Sequence, residues 1–465
     1  MPRENEKIPT SRVRRTTKVA SLAAGEAVKQ FGTRAANVTR GEEASEEAMA
    51  KRQLETAKQI VAALGTMKGA AMKLGQVMSF LDVGLVPEQH REEFQRELAK
   101  LRDAAPTVSF KQMRKVIEDD LEEPIKEVFS AFEQEPIAAA SIGQVYKATL
   151  HDGREVAVKV QYPGVASAVR ADMQNLDMIM RLLKRMTPGL DVKAITAEVR
   201  ERIIEELDYE LEAQNQRSLA RIYEGHPFIV VPDVVGSLSR ERVLVSQFVH
   251  GVGFEELKSR SQTERDRIGE IIFRFFLGCL YRHRQFSGDP HPGNFLLLDD
   301  GRVAFLDFGL FKRLEPEPVE LELAAQRAVT ERDAPALHAL LAQSGFLPRP
   351  ELVDPDHLMA FSESALWWYT TDQTVALTPQ IATQVMIESS DPRSSHFREM
   401  RHQDLRPEHL FGRRMEMLTL AVLSQLHASA NWHRIAREWM YGDPPVTELG
   451  RQEAEFYGRS GVGAR

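Results

Sequence analysis

Cysteine and long apolar segments are the scarcest features of this 465-residue chain. The single cysteine, Cys279, excludes an internal disulfide, which fits a reducing compartment. It lies in the apolar run IIFRFFLGCLY, where we expect a buried helical position. No window approaches the roughly 18 uninterrupted apolar residues of a spanning helix, and Glu26 interrupts the candidate secretory segment. We therefore expect a cytoplasmic chain whose membrane association would be peripheral.

Charge is distributed unevenly along the chain, whose net charge is −8. Residues 1–40 hold nine Lys or Arg and three acidic residues, which is +6 and leaves −14 for the rest. An acidic body argues against nucleic-acid binding. The basic N-terminus suits contact with an anionic membrane surface, or it is only a solvated tail.

The pattern of apolar residues divides the chain into a strand-rich part and a larger helical part. We predict helices over 110–133 and 192–224, and two strands around the Asp152-Gly153 turn. The predicted segments are a basic, partly flexible N-terminus (1–48), a helical extension (49–130), a strand-rich unit (131–250), a mostly helical unit (251–440) and a loose tail (441–465). This order indicates an α+β protein with a cleft between a small β lobe and a large α lobe.

The segment SGDPHPGNFLLLDDGRVAFLDFGL carries the strongest chemical signal. Asp289 is followed by Asn294 and, after a hairpin that turns at Asp299-Asp300-Gly301, by Asp307. Phosphoryl transfer needs one carboxylate facing the acceptor, and an amide and a second carboxylate that hold Mg²⁺ on the phosphates. Both ends of the hairpin should deliver these groups to the same place.

Lys159 lies in the middle of the predicted apolar strand EVAVKVQ. Strand alternation places Val156, Val158 and Val160 on the opposite face from Lys159. An ammonium group is costly there unless a phosphate and a carboxylate pair it. The alternative is a surface lysine on an edge strand.

Acidic residues that could pair with Lys159 lie on the predicted helix 192–224, in EELDYELEAQ. Asp208 and Glu212 would share a helical face at i, i+4, whereas Glu206 and Asp208 would not. An acidic run of this kind is otherwise a solvated helix face.

Two further segments are unusual for a nucleotide site. The turn before Lys159 is rich in alanine where phosphate-binding loops are rich in glycine, so it should be stiffer. Upstream, Lys73 and Gln76 share a helical stripe with Gly65 and Gly69, which implies close packing against a polar surface, although a solvated Lys73 is the default interpretation.

These motifs together resemble the UbiB family of atypical protein-kinase-like proteins, also called the ABC1, ADCK or COQ8 family. The resemblance covers about residues 10–440. Its markers in this sequence are KLGQ (73–76), AAASIGQV (138–145), VAVKVQYPG (156–164), ELDYELEA (206–213), GDPHPGN (288–294) and DFG (307–309).

The resemblance implies a bilobal kinase-like fold with a helical KxGQ extension, carrying Lys73 and Gln76, packed over the cleft. It implies that Lys159 contacts the α/β-phosphates and pairs with Glu212, that Asp289 is the catalytic-loop aspartate, and that Asn294 and Asp307 bind the metal. Glu206 and Asp208 match the ExD motif that lines the same cleft. The implied nucleotide-binding positions are Ala138, Ala139, Ala140, Ser141, Gly143, Lys159, Gln247 and Val249.

The activity implied by the resemblance is Mg²⁺-dependent binding and hydrolysis of ATP in isoprenoid-quinone or lipid metabolism. The implied partners are ATP and a lipid or prenylated small molecule. The sequence departs from ordinary protein kinases, because Ser287 precedes Gly288 where an HRD-type loop would have His-Arg, and no APE motif follows DFG.

Three alternatives remain open at the level of sequence. A nucleotide-sensing scaffold would need the same binding residues, and an ordinary protein kinase is disfavoured by the alanine-rich turn and KLGQ. A metal site built from His250, His283 and His291 is the weakest, because their spacing matches no usual zinc pattern and His291 is better interpreted as shaping its loop.

Overall fold

A computed structural model describes residues 108–171, 173, 192–390, 403 and 407–460 of the protein. The chain divides into two compact units. The sheet unit runs up to Tyr209 and includes Leu238–Val245, and the helical unit comprises Glu210–Ser237 and the chain from Ser246 onward. Lys73, Gln76 and the predicted segment 1–48 lie outside the described residues.

Helices and short strands follow one another along the described chain. Its first part consists of α1 (Phe110–Leu121), α2 (Ile125–Val128), β1 (Phe129–Phe132), β2 (Ala138–Ala140), β3 (Gly143–Leu150), β4 (Glu155–Gln161), α3 (Val192–Glu205), α4 (Tyr209–Ile222), β5 (Ile229–Val230) and β6 (Val243–Gln247). The remainder consists of α5 (Phe254–Leu257), α6 (Gln262–His283), β7 (Gln285–Ser287), β8 (Phe295–Leu297), β9 (Val303–Phe305), β10 (Phe311–Arg313), α7 (Pro316–Glu331), α8 (Ala334–Gln343), α9 (Pro355–Thr370), β11 (Val375–Ala376), α10 (Pro379–Ser390), α11 (Pro407–Gln425), β12 (Ser429–Ala430), α12 (Trp432–Met440) and α13 (Glu448–Ser460).

The sheet unit is built on strands in the order β1-β3-β4-β6, with β2 pairing on β3. The β3–β4 hairpin confirms the predicted Asp152-Gly153 turn, because Gly153 adopts a φ of 88° and Leu150 N–H donates to the Arg154 carbonyl at 2.9 Å. The predicted alternation along β4 is also confirmed, since Val156, Val158 and Val160 are all buried.

Two predicted helices in this part of the chain differ from the structure. The 110–133 segment contains the helices α1 and α2 but ends in strand β1, which pairs with β3. The 192–224 segment is two helices, because the chain leaves helical geometry between Glu205 and Tyr209. Periodicity alone could not locate this break, since its cause lies in contacts with distant segments.

The helical unit is organised around α6, whose central residues are almost entirely buried. The ring of Phe275 stacks on that of Phe305 with centroids 3.6 Å apart, so the helix packs directly on strand β9. Cys279 is fully buried as expected, and its Sγ lies 3.1 Å from the Tyr223 hydroxyl oxygen. Among the described helices, none combines the length and apolar character needed to cross a membrane.

A buried arginine joins α6 to the C-terminal helix. Arg274 is 0% exposed, and its guanidinium group donates to carboxylates of Glu270 at 2.7 Å, Glu438 at 2.7 and 2.9 Å, and Glu453 at 2.9 Å. The hydroxyl of Thr447 accepts a further bond at 3.0 Å, so all five N–H donors are used.

The last described residues form helix α13, whereas the sequence suggested a loose tail. Leu449, Glu453 and Tyr457 recur at i, i+4 and i+8, and all three are buried. The stripe was missed because its middle position is a glutamate, which becomes compatible with burial through the cations of Arg274 and Arg282.

Replacing Arg274 with Met should destabilise the helical unit strongly. The substitution leaves three carboxylates close together without their cation, which costs about 3–5 kcal/mol in comparable buried pairs. Urea unfolding followed by circular dichroism measures this loss. Arg434→Met is the control, because Arg434 pairs with Asp372 at 2.9 Å on the exposed surface, where such pairs contribute about 0–1 kcal/mol. Equal losses in the two variants would contradict the assigned role of the buried cluster.

Stability should fall as the pH drops through the range in which free histidine titrates. His226 is buried and its Nδ1 accepts from Ile229 N–H at 3.1 Å. Burial lowers the pKa of His226 from 6.5 to about 3, and the guanidinium groups of Arg282 and Arg274 act in the same direction. In this pH range His226 takes up a proton in the unfolded chain but stays neutral in the folded chain. Acidification from about pH 7 to pH 5 therefore favours unfolding.

His226→Asn keeps an acceptor at the same position but does not titrate in this range. The slope of the free energy of unfolding against pH should therefore become shallower than in the unmodified protein when both are titrated with urea. Parallel curves for the two proteins would show that His226 does not contribute to this slope.

Candidate functional site

Two short strands bring the segment around Asp289 next to the DFG sequence. Strand β7 pairs antiparallel with β10, with Ser287 opposite Phe311. Gly288 N–H then donates to the Leu310 carbonyl at 2.6 Å. Asp289 and Gly309 therefore leave the same end of this strand pair, although 20 positions of sequence numbering separate them.

The β8–β9 hairpin brings Asn294 to the same place. The predicted hairpin is confirmed, with Phe295 opposite Phe305 and a turn in which Gly301 adopts a φ of 82°. Leu306 N–H donates to the Asn294 carbonyl at 2.9 Å, and the Asn294 amide donates to the Asp289 carbonyl at 3.1 Å. Because Asp307 follows Leu306 directly, the structure brings together the three residues that the sequence singled out.

The carboxylates of Glu212 and Asp307 both lie near Gly309. Glu212 is 4% exposed. A Cβ atom at position 309 would lie 3.4 Å from both Glu212 Oε2 and Asp307 Oδ1, and Gly309 N–H donates to Asp307 Oδ1 at 3.0 Å. Both acidic groups therefore come within van der Waals distance of the side-chain position at residue 309.

Helix α4 also holds the DFG backbone through a residue that the sequence analysis missed. Asn215 is buried, its amide donates to the Phe308 carbonyl at 3.5 Å, and its Oδ1 accepts from Arg313 at 3.0 Å. Asn215 follows Glu212 at i, i+3, so both side chains face the same segment. This helical spacing was the available signal.

Arg414 on α11 is the second missed residue. It is 4% exposed, its Nη2 donates to Asp289 Oδ1 at 2.8 Å, and its Nη1 donates to the Gly288 carbonyl. Asp289 is itself 8% exposed, so its negative charge is compensated by a buried cation. No local pattern indicates this contact, since the two residues lie 125 positions apart.

Lys159 occupies a central position in the sheet unit. Strand β4 lies between β3 and β6, so the edge-strand interpretation is wrong. The half-buried Lys159 has its Nζ 5.0 Å from the centroid of the Tyr209 ring, an arrangement that stabilises the ammonium charge. Its predicted pairing with Glu212 stays a prediction.

The alanine-rich segment is a strand in a tight hairpin, whereas we expected a loop. Ala138–Ala140 forms β2, paired with β3, and Ser141 and Ile142 make the turn. None of the alanines adopts a positive φ, so alanine is tolerated without strain. Gly143 is required for a different reason, because a Cβ there would lie 2.1 Å from the Val160 carbonyl oxygen.

The predicted ExD residues lie in the break between α3 and α4. Glu206 is buried and Asp208 is exposed. Since Asp208 precedes α4, the argument that Asp208 and Glu212 share a helical face at i, i+4 is wrong. The break is held by hydrogen bonds to β4 and to the segment before β6.

The remaining predicted positions have simpler surroundings. Gln247 is exposed at the end of β6, where its N–H donates to the Asp233 carbonyl at 2.7 Å, and Val249 is half-buried. Lys73 and Gln76 lie outside the described residues, so their role stays a prediction.

The three histidines considered as a metal site contact different neighbours. His283 lies 3.0 Å from the Tyr457 hydroxyl, and burial lowers the pKa of His283 to about 4. His291 Nδ1 accepts from Gly293 N–H at 3.1 Å, which agrees with its interpretation as a residue that shapes the loop. Within the described part of the chain, no group of three or more His, Cys, Asp or Glu side chains is arranged to hold a metal ion.

Known proteins were compared with the chain by sequence and by structure. Atypical kinase coq-8, mitochondrial, of Caenorhabditis elegans is 31% identical over 361 residues, which are 75% of this chain and 47% of that protein. Atypical kinase COQ8B, mitochondrial, of Rattus norvegicus is 31% identical over 329 residues, 70% of this chain and 62% of that protein. The chain thus spans only part of the length of these relatives.

A solved structure is similar over a larger share of the chain. The complex of Rv3197 with erythromycin from Mycobacterium tuberculosis matches with a TM-score of 0.61 and 30% identity, covering 86% of this chain and 100% of that one. The profile of the ABC1 atypical kinase-like domain matches residues 100–341, more than half of the sequence. The chain therefore belongs to the ABC1 atypical kinase-like family and has a kinase-like fold.

Proposed function

We propose that this protein binds ATP with Mg²⁺ and acts as a slow ATPase or phosphotransferase of the UbiB type. The observation that carries the proposal is the convergence of Asp289, Asn294 and Asp307, held together by the β7–β10 and β8–β9 pairings. Kinase-like active sites use an aspartate, an asparagine and a second aspartate in these positions.

The donor set around Gly309 fits Mg²⁺ delivered together with a nucleotide. Mg²⁺ in such sites takes one or two protein oxygen ligands and completes its shell with phosphate and water oxygens. Asp307 and Asn294 would hold the ion, which supplies neutralisation of the phosphate charge when bound. Glu212 lies near the same glycine as Asp307. Its negative charge would attract the cation, or the ammonium group of Lys159, which is its predicted partner.

Asp289 is suited to orienting an acceptor hydroxyl or water. One of its carboxylate oxygens accepts a hydrogen bond from Arg414 Nη2 at 2.8 Å, which fixes the orientation of the carboxylate group. A carboxylate neutralised by a guanidinium group is a weaker base than a free one. This arrangement therefore favours orientation over proton abstraction, so we expect slow turnover.

The biological setting is proposed from relatives and charge. The resemblance to the UbiB family, to which the match with the coq-8 and COQ8B kinases adds support, implies a role in isoprenoid-quinone or lipid metabolism. The basic N-terminus supports peripheral contact with anionic lipid. A second candidate ligand class is a macrolide, supported by the erythromycin complex of the similar structure. A nucleotide-sensing scaffold is the alternative function.

Asp307→Asn should abolish the Mg²⁺-dependent part of ATP binding. The amide lacks the negative charge that holds the cation, so we expect an affinity loss of about tenfold or more in Mg²⁺ and little change in EDTA. Isothermal titration with the full chain measures both values. Asp300→Asn, in the exposed turn of the same hairpin, is the matched control. Equal Mg·ATP affinity for the Asp307 variant and the unmodified protein would refute the metal assignment.

The same preparation distinguishes an enzyme from a scaffold. ATP hydrolysis is measured alone, with anionic liposomes, with a prenylated phenol and with erythromycin. Stimulation by liposomes or the phenol supports the lipid-linked enzyme, and a response to erythromycin alone supports the macrolide class. Tight ATP binding without turnover in any arm supports the scaffold.

Arg414→Met should lower the turnover of ATP more than its binding. The variant leaves the buried Asp289 carboxylate without its guanidinium partner, so the carboxylate loses its orientation. Since misorientation of a group at the reacting centre slows the chemical step, we expect kcat to fall at least about tenfold, with KM nearly unchanged. Arg327→Met, which removes a partly buried bond to the Met440 carbonyl, is the control. A change in KM alone would contradict the proposed role of Asp289.

A further inference from the structure

The side chain of Gln161 is almost completely buried in the sheet unit and makes two hydrogen bonds to backbone. It is 1% exposed, and its Nε2 donates to the carbonyls of Leu207 at 2.8 Å and Glu241 at 3.0 Å. Its own N–H donates to the Arg242 carbonyl at 3.0 Å. One residue of β4 thus contacts two segments that follow it by 46 and 80 positions.

These bonds account for the interruption between α3 and α4. Leu207 lies between the two helices, where its carbonyl is outside regular helical hydrogen bonding. The Gln161 amide binds that carbonyl, and Tyr209 N–H donates to the Glu241 carbonyl at 2.9 Å. The Glu241 carbonyl therefore accepts from both Gln161 and Tyr209, and the start of α4 is fixed to the sheet.

The Glu241 carbonyl is itself held in place from outside. Asp120 on α1 accepts from the backbone N–H and the Nε of the adjacent Arg242, each at 2.9 Å. Both carboxylate oxygens are thus bound to one residue. The segment before β6 is consequently a fixed support for the amide of Gln161.

Lys159 depends on the same interrupted segment. Residues 159 and 161 lie on the same face of β4, and the Tyr209 ring lies 5.0 Å from the Lys159 ammonium. Tyr209 is 1% exposed, so its ring is enclosed by neighbouring residues and has little freedom to move. Displacement of Tyr209 would therefore displace the charge of Lys159.

We propose that Gln161 is a positioning residue for nucleotide binding. It fixes the segment from Glu206 to Tyr209, which carries the ExD pair and the ring beside Lys159, and it acts without touching the nucleotide. The inference rests on the proposed ATP-binding function. Glutamine suits the position because both acceptors are carbonyls: Met would donate nothing, ionised Glu would face two oxygens, and Asn is one methylene shorter.

Nucleotide affinity in Gln161→Met tests the proposal. The Kd for Mg·ATP should rise about tenfold, since loss of orientation in a phosphate-binding group is costly. Gln216→Met is the matched control: Gln216 is buried on α4 and donates to the Pro232 carbonyl at 2.7 Å. The Kd of Gln216→Met should stay within about twofold of the value for the unmodified protein, even if this variant loses as much stability as Gln161→Met. The reason is that Tyr209 at the start of α4 remains attached to the sheet.

Gln161→Glu gives a second readout that a purely structural role would not produce. A protonated carboxyl can donate one hydrogen bond, and burial favours that form. The ratio of its Kd to that of the unmodified protein should therefore fall as the pH is lowered from about 8 to 6. This variant decides the matter if Gln161→Met does not fold.

The outcomes separate the two proposals. If the unmodified protein binds no Mg·ATP, the proposed function fails. If it binds, and the folded Gln161 variants bind equally well with a constant ratio across pH, the positioning role is overturned. Equal weakening in Gln216→Met would also overturn it, because the effect would then reflect general loss of stability.

Discussion

Backbone pairing between very short strands is the constraint on which the candidate site depends. The β7–β10 and β8–β9 pairs are only three residues long, yet they fix where Asp289, Asn294 and Asp307 emerge. Such short pairs are marginal by themselves. They persist because they lie on the apolar surface of α6, where Phe305 stacks on Phe275 and Phe286 and Phe308 are fully buried. The chemistry of the site thus depends on hydrophobic packing directly beneath it.

Two buried arginines in the helical unit bind carboxylates that are distant in sequence. Arg274 binds Glu438 and Glu453 from the C-terminal helices, and Arg414 binds Asp289. Removing one partner leaves the other charge buried without a counter-charge, which is why single substitutions at these positions are costly. The two clusters have different roles. The Arg274 cluster holds α13 on the core, and the Arg414 contact orients the carboxylate of Asp289, the residue proposed to face the acceptor.

The sequence was most informative where the interactions are local. The hairpin turn at Gly301, the alternation along β4 and the burial of Cys279 depend on neighbouring residues and were predicted correctly. The break between α3 and α4, the helix α13 and the role of Arg414 depend on contacts 46 to 179 positions apart and were missed. A glutamate in an apolar stripe looks like a solvated residue until its arginine is known. The family resemblance supplied the site roles that local patterns could not.

The alanine-rich hairpin shows how a backbone requirement can be met without the expected residue. Glycine is needed in a phosphate-binding turn when φ is positive or when the chain passes close to another atom. In this protein the first condition is absent at Ala138, Ala139 and Ala140, and the second applies only at Gly143, which lies against the Val160 carbonyl. Three methyl groups therefore cost no strain, yet two of these alanines remain exposed on β2, where a flexible glycine loop would let the backbone close on a phosphate. The pairing of β2 with β3, together with the pairing of Asp289 with Arg414, is a physical reason to expect slow turnover from the proposed nucleotide site.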